Sequence, residues 1–305
     1  MAIRADGIYV DCTAGGGGHS SAILRNLSAN GRLISFDKDD DALKACTKLR
    51  DALALPGRWD LVKSDFSRIR EELLDLDVTR VDGVLADLGV SSHQLDTAER
   101  GFSYSTDGPL DMRMDKRQSV SAETVIRTYS EDNLAKIFRI YGEERYAGRI
   151  AAAIVAARRE REIRTTKDLS DIIVGAMPGK AKHEDQHPAR RCFQAIRIEV
   201  NQELAAVSKL LSEAPSILSD QGRLAIISFH SLEDRLVKEA FKELEAPCTC
   251  PREFPVCVCN RTPMGRVITR KPIEATESEA RENKRSRSAK LRVFERNGEE
   301  WKLMQ

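Results

Sequence analysis

With 305 residues, 41% of them hydrophobic and 32% charged, the chain has enough material to bury one large core or a core plus a smaller subdomain, as an ordinary globular protein does. The opening Met1-Ala2-Ile3-Arg4-Ala5-Asp6 has no signal-like apolar run, and no stretch reaches the about 20 apolar residues that span a bilayer, so a cytoplasmic protein with no membrane partner is expected. A net charge of +1 excludes bulk attraction to polyanions and leaves any nucleic-acid surface to local basic clusters.

The first ninety residues alternate apolar β-prone runs with helical patterns. "GIYVD" at 7–11 leads into four glycines, Gly15 to Gly18, and is followed by "RLISFD" at 32–37, "WDLVKSD" at 59–65 and "VDGVLADLGV" at 81–90. Between the second and third runs, Leu43, Cys46, Leu49 and Leu53 recur at helical spacing. This βαβ rhythm predicts an α/β fold with a Rossmann-like parallel sheet covered by helices on both faces. A further buried strand is predicted in "GRLAIISFH" at 222–230, much farther on than the about 30 residues of a complete βαβ unit, so a large insert lies between.

That insert reads as helical. Leu134, Ile137, Phe138 and Tyr141 form one stripe, continued by Ile150 and Ile154, with Ser130 as N-cap. Thr165 or Thr166 starts a further helix through Leu169, Ile172 and Ile173, which Pro178-Gly179 ends. "HPARRCFQAIRIEVNQELAAVSKLLSEAP" reads as one long helical pattern leading back to the sheet, and "GRVITRKPI" and "SAKLRVFERN" read as an antiparallel edge. The expected domains are a core at 1–106 and 186–305 and an inserted helical, substrate-recognising subdomain at 107–185. The oligomeric state stays open between monomer and homodimer.

A glycine-rich turn between the first strand and first helix lets a ligand approach the backbone. Dinucleotides ask for G-x-G-x-x-G, but Gly15-x-Gly17 is followed by Ser20 and Gly16-x-Gly18 by Ser21. S-adenosylmethionine has no phosphates and asks instead for a close-approach loop and an acid for its ribose hydroxyls, and Asp37, ending the second strand, is placed for that contact. The bland alternative makes the glycines only a loop and Asp37 only a helix cap. Asp87 ends the fourth strand, at the edge where ligands of open α/β sheets lie, while Phe66 after the third strand either covers an adenine ring or packs into the core.

Taken together, "YVDCTAGGGGHS", "ADLGVSSHQLDTAERGFSYSTDGPLDMRMD", "YGEERYAGRIAAAIV", "HPARRCFQAIRIEVNQEL" and "ISFHSLEDRLVK" closely resemble the bacterial 16S ribosomal RNA cytosine-N4 methyltransferases known as RsmH or MraW, from about Asp6 to Arg296. The resemblance implies a class I S-adenosylmethionine-dependent methyltransferase sheet. The implied reaction is methyl transfer to the exocyclic amine of a cytidine in the decoding region of the small ribosomal subunit. The family's cofactor contacts fall on Gly17, Gly18, His19, Asp37, Phe66, Asp87 and Gln94, and its helical insert forms a second lobe over the substrate cleft. Family members carry a segment of the form H-x-x-V-L-L-x-E ahead of the first strand; this chain starts almost directly at Asp6-Gly7, so a wall of the cofactor or RNA site is expected to be missing. Gly16 and His93 also depart from the usual pattern while keeping its turn character.

A cytosine N4 amine is a poor nucleophile, because its lone pair is delocalised into the ring, and positioning supplies much of the barrier reduction. The residues expected to carry the chemistry are Asp87, Asp111 and His230, with Phe102 or Tyr104 as an aromatic platform. Two of them have a structural alternative: Asp107, Asp111 and Asp115 around Arg113 also suit a salt-bridged loop, and Ser231 with Asp234 suits a helix cap that His230 merely flanks. RNA phosphates would meet the basic clusters at 158–167 and 281–296, together with Arg190, Arg191 and Arg197, and a stacked cytidine would have to be flipped out. The competing classes are a nicotinamide-dependent oxidoreductase, disfavoured by the absent third glycine, and a non-catalytic ribosome-assembly protein.

Of seven cysteines, Cys12, Cys46 and Cys192 are scattered, whereas Cys248, Cys250, Cys257 and Cys259 form C-x-C-x₆-C-x-C. That spacing differs from the common C-x₂-C of zinc sites yet allows one tetrahedral structural zinc, with unliganded thiols as the alternative.

Overall fold

The computed structural model describes residues 1–179, 186–251, 254 and 258–297, which divide into two compact units. The first begins with β1 (Ile8–Asp11), α1 (Gly18–Leu24), β2 (Arg32–Asp37), α2 (Asp40–Leu53), β3 (Arg58–Lys63), a 3-10 turn at Phe66–Arg68, α3 (Ile69–Asp75) and β4 (Val81–Asp87). Tyr9, Val10, Leu33, Ile34, Phe36, Val84 and Ala86 are buried, as strands covered on both faces require. Asp39 caps α2 by accepting from Asp41 N at 3.0 Å, and α2 ends with Ala54 in the left-handed region at φ 43°.

The second unit, Val90–Glu203, is helical: α4 (Ser92–Asp96), α5 (Ala122–Thr128), α6 (Glu131–Ile140), α7 (Ala147–Glu160), α8 (Thr166–Ala176) and α9 (Arg190–Asn201). Ser130 caps α6 as predicted, accepting from Asn133 N at 3.2 Å, and Thr165 caps α8 in a reciprocal box with Asp168. Leu134, Phe138, Ile150, Ile154, Leu169 and Ile173 share one core with Phe193, Ile196 and Val200 of α9.

The unit boundaries fall at 89/90 and 203/204, outside the 106/107 and 185/186 read from the sequence. On the N-terminal side, Arg100 donates to the carbonyls of Arg113 and Met114 (2.9 and 3.2 Å), which ties 90–106 to the helical unit. On the C-terminal side, Asn201 clasps the same loop, accepting from Met114 N at 2.8 Å and donating to Met112 O at 2.7 Å. The long helical pattern is therefore two helices, broken where Gln202 takes φ 52°.

The chain then returns through α10 (Glu203–Ile217) into β5 (Leu218–Ser228), α11 (Ser231–Glu245), β6 (Gly265–Val267), β7 (Ile273–Glu274), α12 (Glu277–Glu282) and β8 (Lys290–Arg296). The sheet order is β3-β2-β1-β4-β5-β8-β6, with β7 also paired to β8. Strands β1 to β5 are parallel; β8 runs antiparallel to β5, as expected of the tail. β1 sits between β2 and β4, and the order reverses there, which places a crevice outside the carboxyl ends of β1 and β4. No helix among the described residues is long and apolar enough to cross a membrane.

Candidate active site

The glycine turn is stitched to both neighbouring strands: Cys12 N donates to Leu85 O (2.7 Å), and Ala14 N donates to Phe36 O (2.9 Å). Two of its glycines serve conformation, with Gly15 at φ 50° and Gly17 at φ 80°. A Cβ on Gly17 would stand 2.6 Å from Leu49 Cδ2, whereas one on Gly16 or Gly18 would meet nothing within 4 Å. The run thus combines two backbone requirements with two cleared positions facing open space.

At the end of β2, Asp37 closes the turn by accepting from Gly15 N at 2.8 Å on one oxygen and from Asp39 N at 2.9 Å on the other. Burial pushes its carboxyl above the ordinary range and the neighbouring Asp39 adds to this, against the two backbone donors. Each oxygen retains a lone pair, so further hydroxyl donors would relieve the desolvation. Phe66 opens the 3-10 turn after β3, capped by Asp65, and leans partly buried on the core beneath that sheet face.

Asp87 ends β4, its backbone N–H donating to Thr13 Oγ1 at 2.8 Å. One carboxylate oxygen, Oδ2, lies 3.4 Å from His19 Nε2. The other, Oδ1, is buried and has no hydrogen-bond partner among the described residues. Asp87 raises the His19 imidazole above 6.5, helped by Asp11, while burial opposes it.

Asp11 is a functional-edge residue that sequence reasoning passed over as a strand end. It is wholly buried and accepts from Ser20 Oγ (2.6 Å) and Thr13 N (3.1 Å); Ser20 in turn meets Ser35 Oγ (2.9 Å), which also accepts from Trp59 Nε1 (2.8 Å). Ser20 stands where a dinucleotide fold would have its third glycine, and its hydroxyl is committed to this knot.

Burial is the largest influence on Asp11, outweighing Ser20 and Thr13, and pushes it up from 3.8 to about 6. Below 3.8 both folded and unfolded states are protonated; between about 4 and 6 only the folded state keeps the proton, so stability falls as pH rises through that window and is level above it. At 1.36 kcal/mol per pH unit the loss is on the order of 3 kcal/mol. Asp11→Asn is therefore expected to raise the urea midpoint over wild type at pH 7, by an amount that shrinks towards zero at pH 4. Parallel stability curves for the two proteins across that range would remove the assigned burial cost.

His230 follows β5 at the same sheet edge. Contrary to the Ser231 cap weighed from the sequence, His230 is itself the N-cap of α11, its Nδ1 3.5 Å from Glu233 N. Glu233, almost fully buried, accepts from Phe229 N at 2.9 Å and approaches His230 Nε2 at 3.1 Å without the alignment of a hydrogen bond. Both oxygens of Asp234 accept from Arg292, at 2.6 and 3.1 Å.

The remaining expected site residues belong to the helical unit. Gln94 is buried in the capping box of α4, its Oε1 accepting from Ser91 N at 3.0 Å. Asp111 is held by Arg113, one guanidinium bond of 2.8 Å to each oxygen, and this pairing overcomes its burial to keep its carboxyl below the usual range. Phe102 is core with the Arg100 guanidinium 5.8 Å from its ring, so it offers no platform, whereas Tyr104 stacks on His187 at 4.8 Å.

The basic residues divide in the same way. Arg197 is locked to Glu203 through two bonds (2.8 and 2.9 Å) and Arg161 to Asp168 (2.7 Å), while Arg292 is buried in β8. Arg159, Lys284 and Arg287 are exposed. Of the cysteine string, Cys248, Cys250 and Cys259 have sulfurs all within 4.8 Å of one another; Cys257 lies outside the described residues.

A largely parallel sheet whose order reverses at β1, with a glycine turn after β1 and acids ending β2 and β4, defines a Rossmann-like α/β fold. The family model for the MraW methylase family matches residues 1–297. The chain is 52% identical over 294 residues to "Ribosomal RNA small subunit methyltransferase H" of Clostridioides difficile (strain 630), covering 96% of this chain and 94% of that one. It is 50% identical over 294 residues to the protein of the same name from Symbiobacterium thermophilum, covering 96% and 92%. The chain belongs to the MraW methylase family and is a methyltransferase.

Proposed function

We propose that this chain transfers a methyl group from S-adenosylmethionine to the exocyclic N4 amine of a cytidine in the decoding region of 16S rRNA, acting on the small ribosomal subunit in the cytoplasm. The observation that carries this reading is Asp87 Oδ1, a buried acceptor without a donor at the carboxyl end of β4. A buried acceptor left unpaired is costly, and an N–H presented by a ligand amine satisfies it. The printed names of the relatives, ribosomal RNA small subunit methyltransferases, support the substrate class.

The residues fit the cofactor on the structure's own terms. Gly16 and Gly18 leave room beside the turn, Asp37 keeps lone pairs for ribose hydroxyls, and Phe66 stands after β3 beside them in the sheet order. When bound, S-adenosylmethionine supplies an electrophilic methyl group. Asp87 orients the amine by accepting its N–H at Oδ1 and takes up the proton that the nitrogen releases, while the His19 imidazole beside Oδ2 holds the other side of the carboxylate. His230 acts as a positioning residue through the start of α11.

The test is transfer of labelled methyl to small subunits lacking the modification, followed by mass mapping of nucleosides; N4-methylcytidine is the expected product. Label on guanine or on protein would overturn the substrate assignment. Binding to subunits without any transfer would favour an assembly role, and calorimetric binding of NAD in place of S-adenosylmethionine would favour the oxidoreductase class.

A further inference from the structure

We propose that Cys248, Cys250 and Cys259 form a structural zinc site that braces the connection between α11 and β6. Residues 246–264 contain no regular secondary structure among those described, although connections longer than about 12–15 residues rarely stand without internal support. Apolar packing does not supply it, since Phe254 and Val258 are 51% and 65% exposed. The stem is pinned by Met264 N donating to Leu244 O (2.9 Å) and Val267 N donating to Glu245 Oε1 (2.8 Å), and beyond the stem the sulfurs are what converge.

Their geometry suits a metal better than a disulfide. A tetrahedral ion with zinc–sulfur bonds of about 2.3 Å sets its sulfurs about 3.8 Å apart. Cys248 Sγ and Cys259 Sγ are 3.9 Å apart, nearly twice a disulfide bond length, and neither is disulfide-bonded. Phe254 N donates to Pro251 O at 3.1 Å, and Val258 N donates to Cys250 Sγ at 3.3 Å, a backbone contact that holds this sulfur in place. An all-sulfur donor set selects zinc over magnesium or calcium, which take oxygen ligands. The fourth coordination position is left to water or another donor. This site is independent of the methyl-transfer reading.

The full chain, purified under reducing conditions with zinc present and then desalted, is expected to hold about one zinc per chain by elemental analysis. Cobalt added to stripped protein should give thiolate charge-transfer and tetrahedral d–d bands. The double variant Cys248→Ser/Cys259→Ser is expected to lose both signals while keeping the circular dichroism of the sheet. If that variant fails to fold, the wild-type protein still decides the matter: adding a chelator should raise the number of thiols reactive toward a disulfide reagent by about three. Wild-type protein that takes up neither zinc nor cobalt overturns the proposal, as do a Cys248–Cys259 disulfide by mass spectrometry under the same conditions and a thiol count the chelator leaves unchanged.

Discussion

Asp87→Asn is expected to lower methyl transfer to small subunits by at least about a hundredfold, which is about 2.7 kcal/mol of barrier. Asparagine keeps the size of the side chain and one acceptor. With its oxygen turned toward His19, its NH₂ stands in the Oδ1 position and presents a donor where the amine needs an acceptor. Folding loses little, because Oδ1 has no partner among the described residues to give up and the tether from Asp87 N to Thr13 is backbone. The thermal midpoint should therefore stay within a degree or two, since a change of 1 kcal/mol in a large domain moves it by only about 2–4 °C. The His19 titration, followed by imidazole NMR, should fall toward its ordinary value at the same time, since Asp87 is the main cause of its rise. Near-wild-type transfer by the folded variant would sink the role given to Asp87.

Gly17→Val is expected to destabilise the first unit by about 2–5 kcal/mol, through left-handed backbone strain of about 1–2 kcal/mol and overpacking of about 1–3 kcal/mol. At φ 80° a β-branched residue is strained, and its Cβ would press on Leu49 Cδ2 at 2.6 Å with Cys46 Sγ and Trp59 Cη2 close behind at 3.4 and 3.5 Å. A loss of that size is a large part of the about 5–15 kcal/mol that holds a domain folded. Gly18→Ala supplies the contrast, because a methyl there meets no protein atom within 4 Å. It should leave the urea midpoint unchanged and weaken S-adenosylmethionine binding by about tenfold, or 1.4 kcal/mol. Equal midpoints for Gly17→Val and wild type would contradict the backbone assignment, and undiminished cofactor affinity in Gly18→Ala would contradict the assignment of that space to the ligand.

Much of the fold was legible because its signals are local. The runs at 7–11, 32–37 and 81–90 carry apolar residues at adjacent positions (Tyr9-Val10, Leu33-Ile34, Val84-Leu85-Ala86), as strands buried on both faces do, and the caps at Ser130 and Thr165 follow from hydroxyls three residues before a main-chain donor. The polar knot was not legible. Asp11 meets Ser35 only because β1 and β2 pair in the register that sets those two residues opposite, and Ser20 reaches both from the first turn of α1. A sequence states that a carboxyl ends a strand; it does not state whether water or a buried serine faces it.

The same distinction covers the corrections. Helical periodicity in the stretch from Arg190 to Ile217 marks which side chains are buried and is silent on which core receives them, so the break at Gln202 and the unit boundary beside it stayed hidden. Arg197 looked like a phosphate ligand until Glu203 was found beside it, and Ser231 looked like a cap until the backbone brought His230 into that place.

The sequence by itself determined the family, through several motif strings spread along the chain, and the succession β1 to β5, the helical insert and a glycine turn followed by acids at the ends of β2 and β4, because those signals lie in local strings and spacings. Only the tertiary structure decided which glycines set the backbone and which clear space, which acids are spent on internal partners, and that Asp87 keeps one buried oxygen unclaimed. Those outcomes depend on distances between residues far apart in the chain, and strand register and packing alone set such distances.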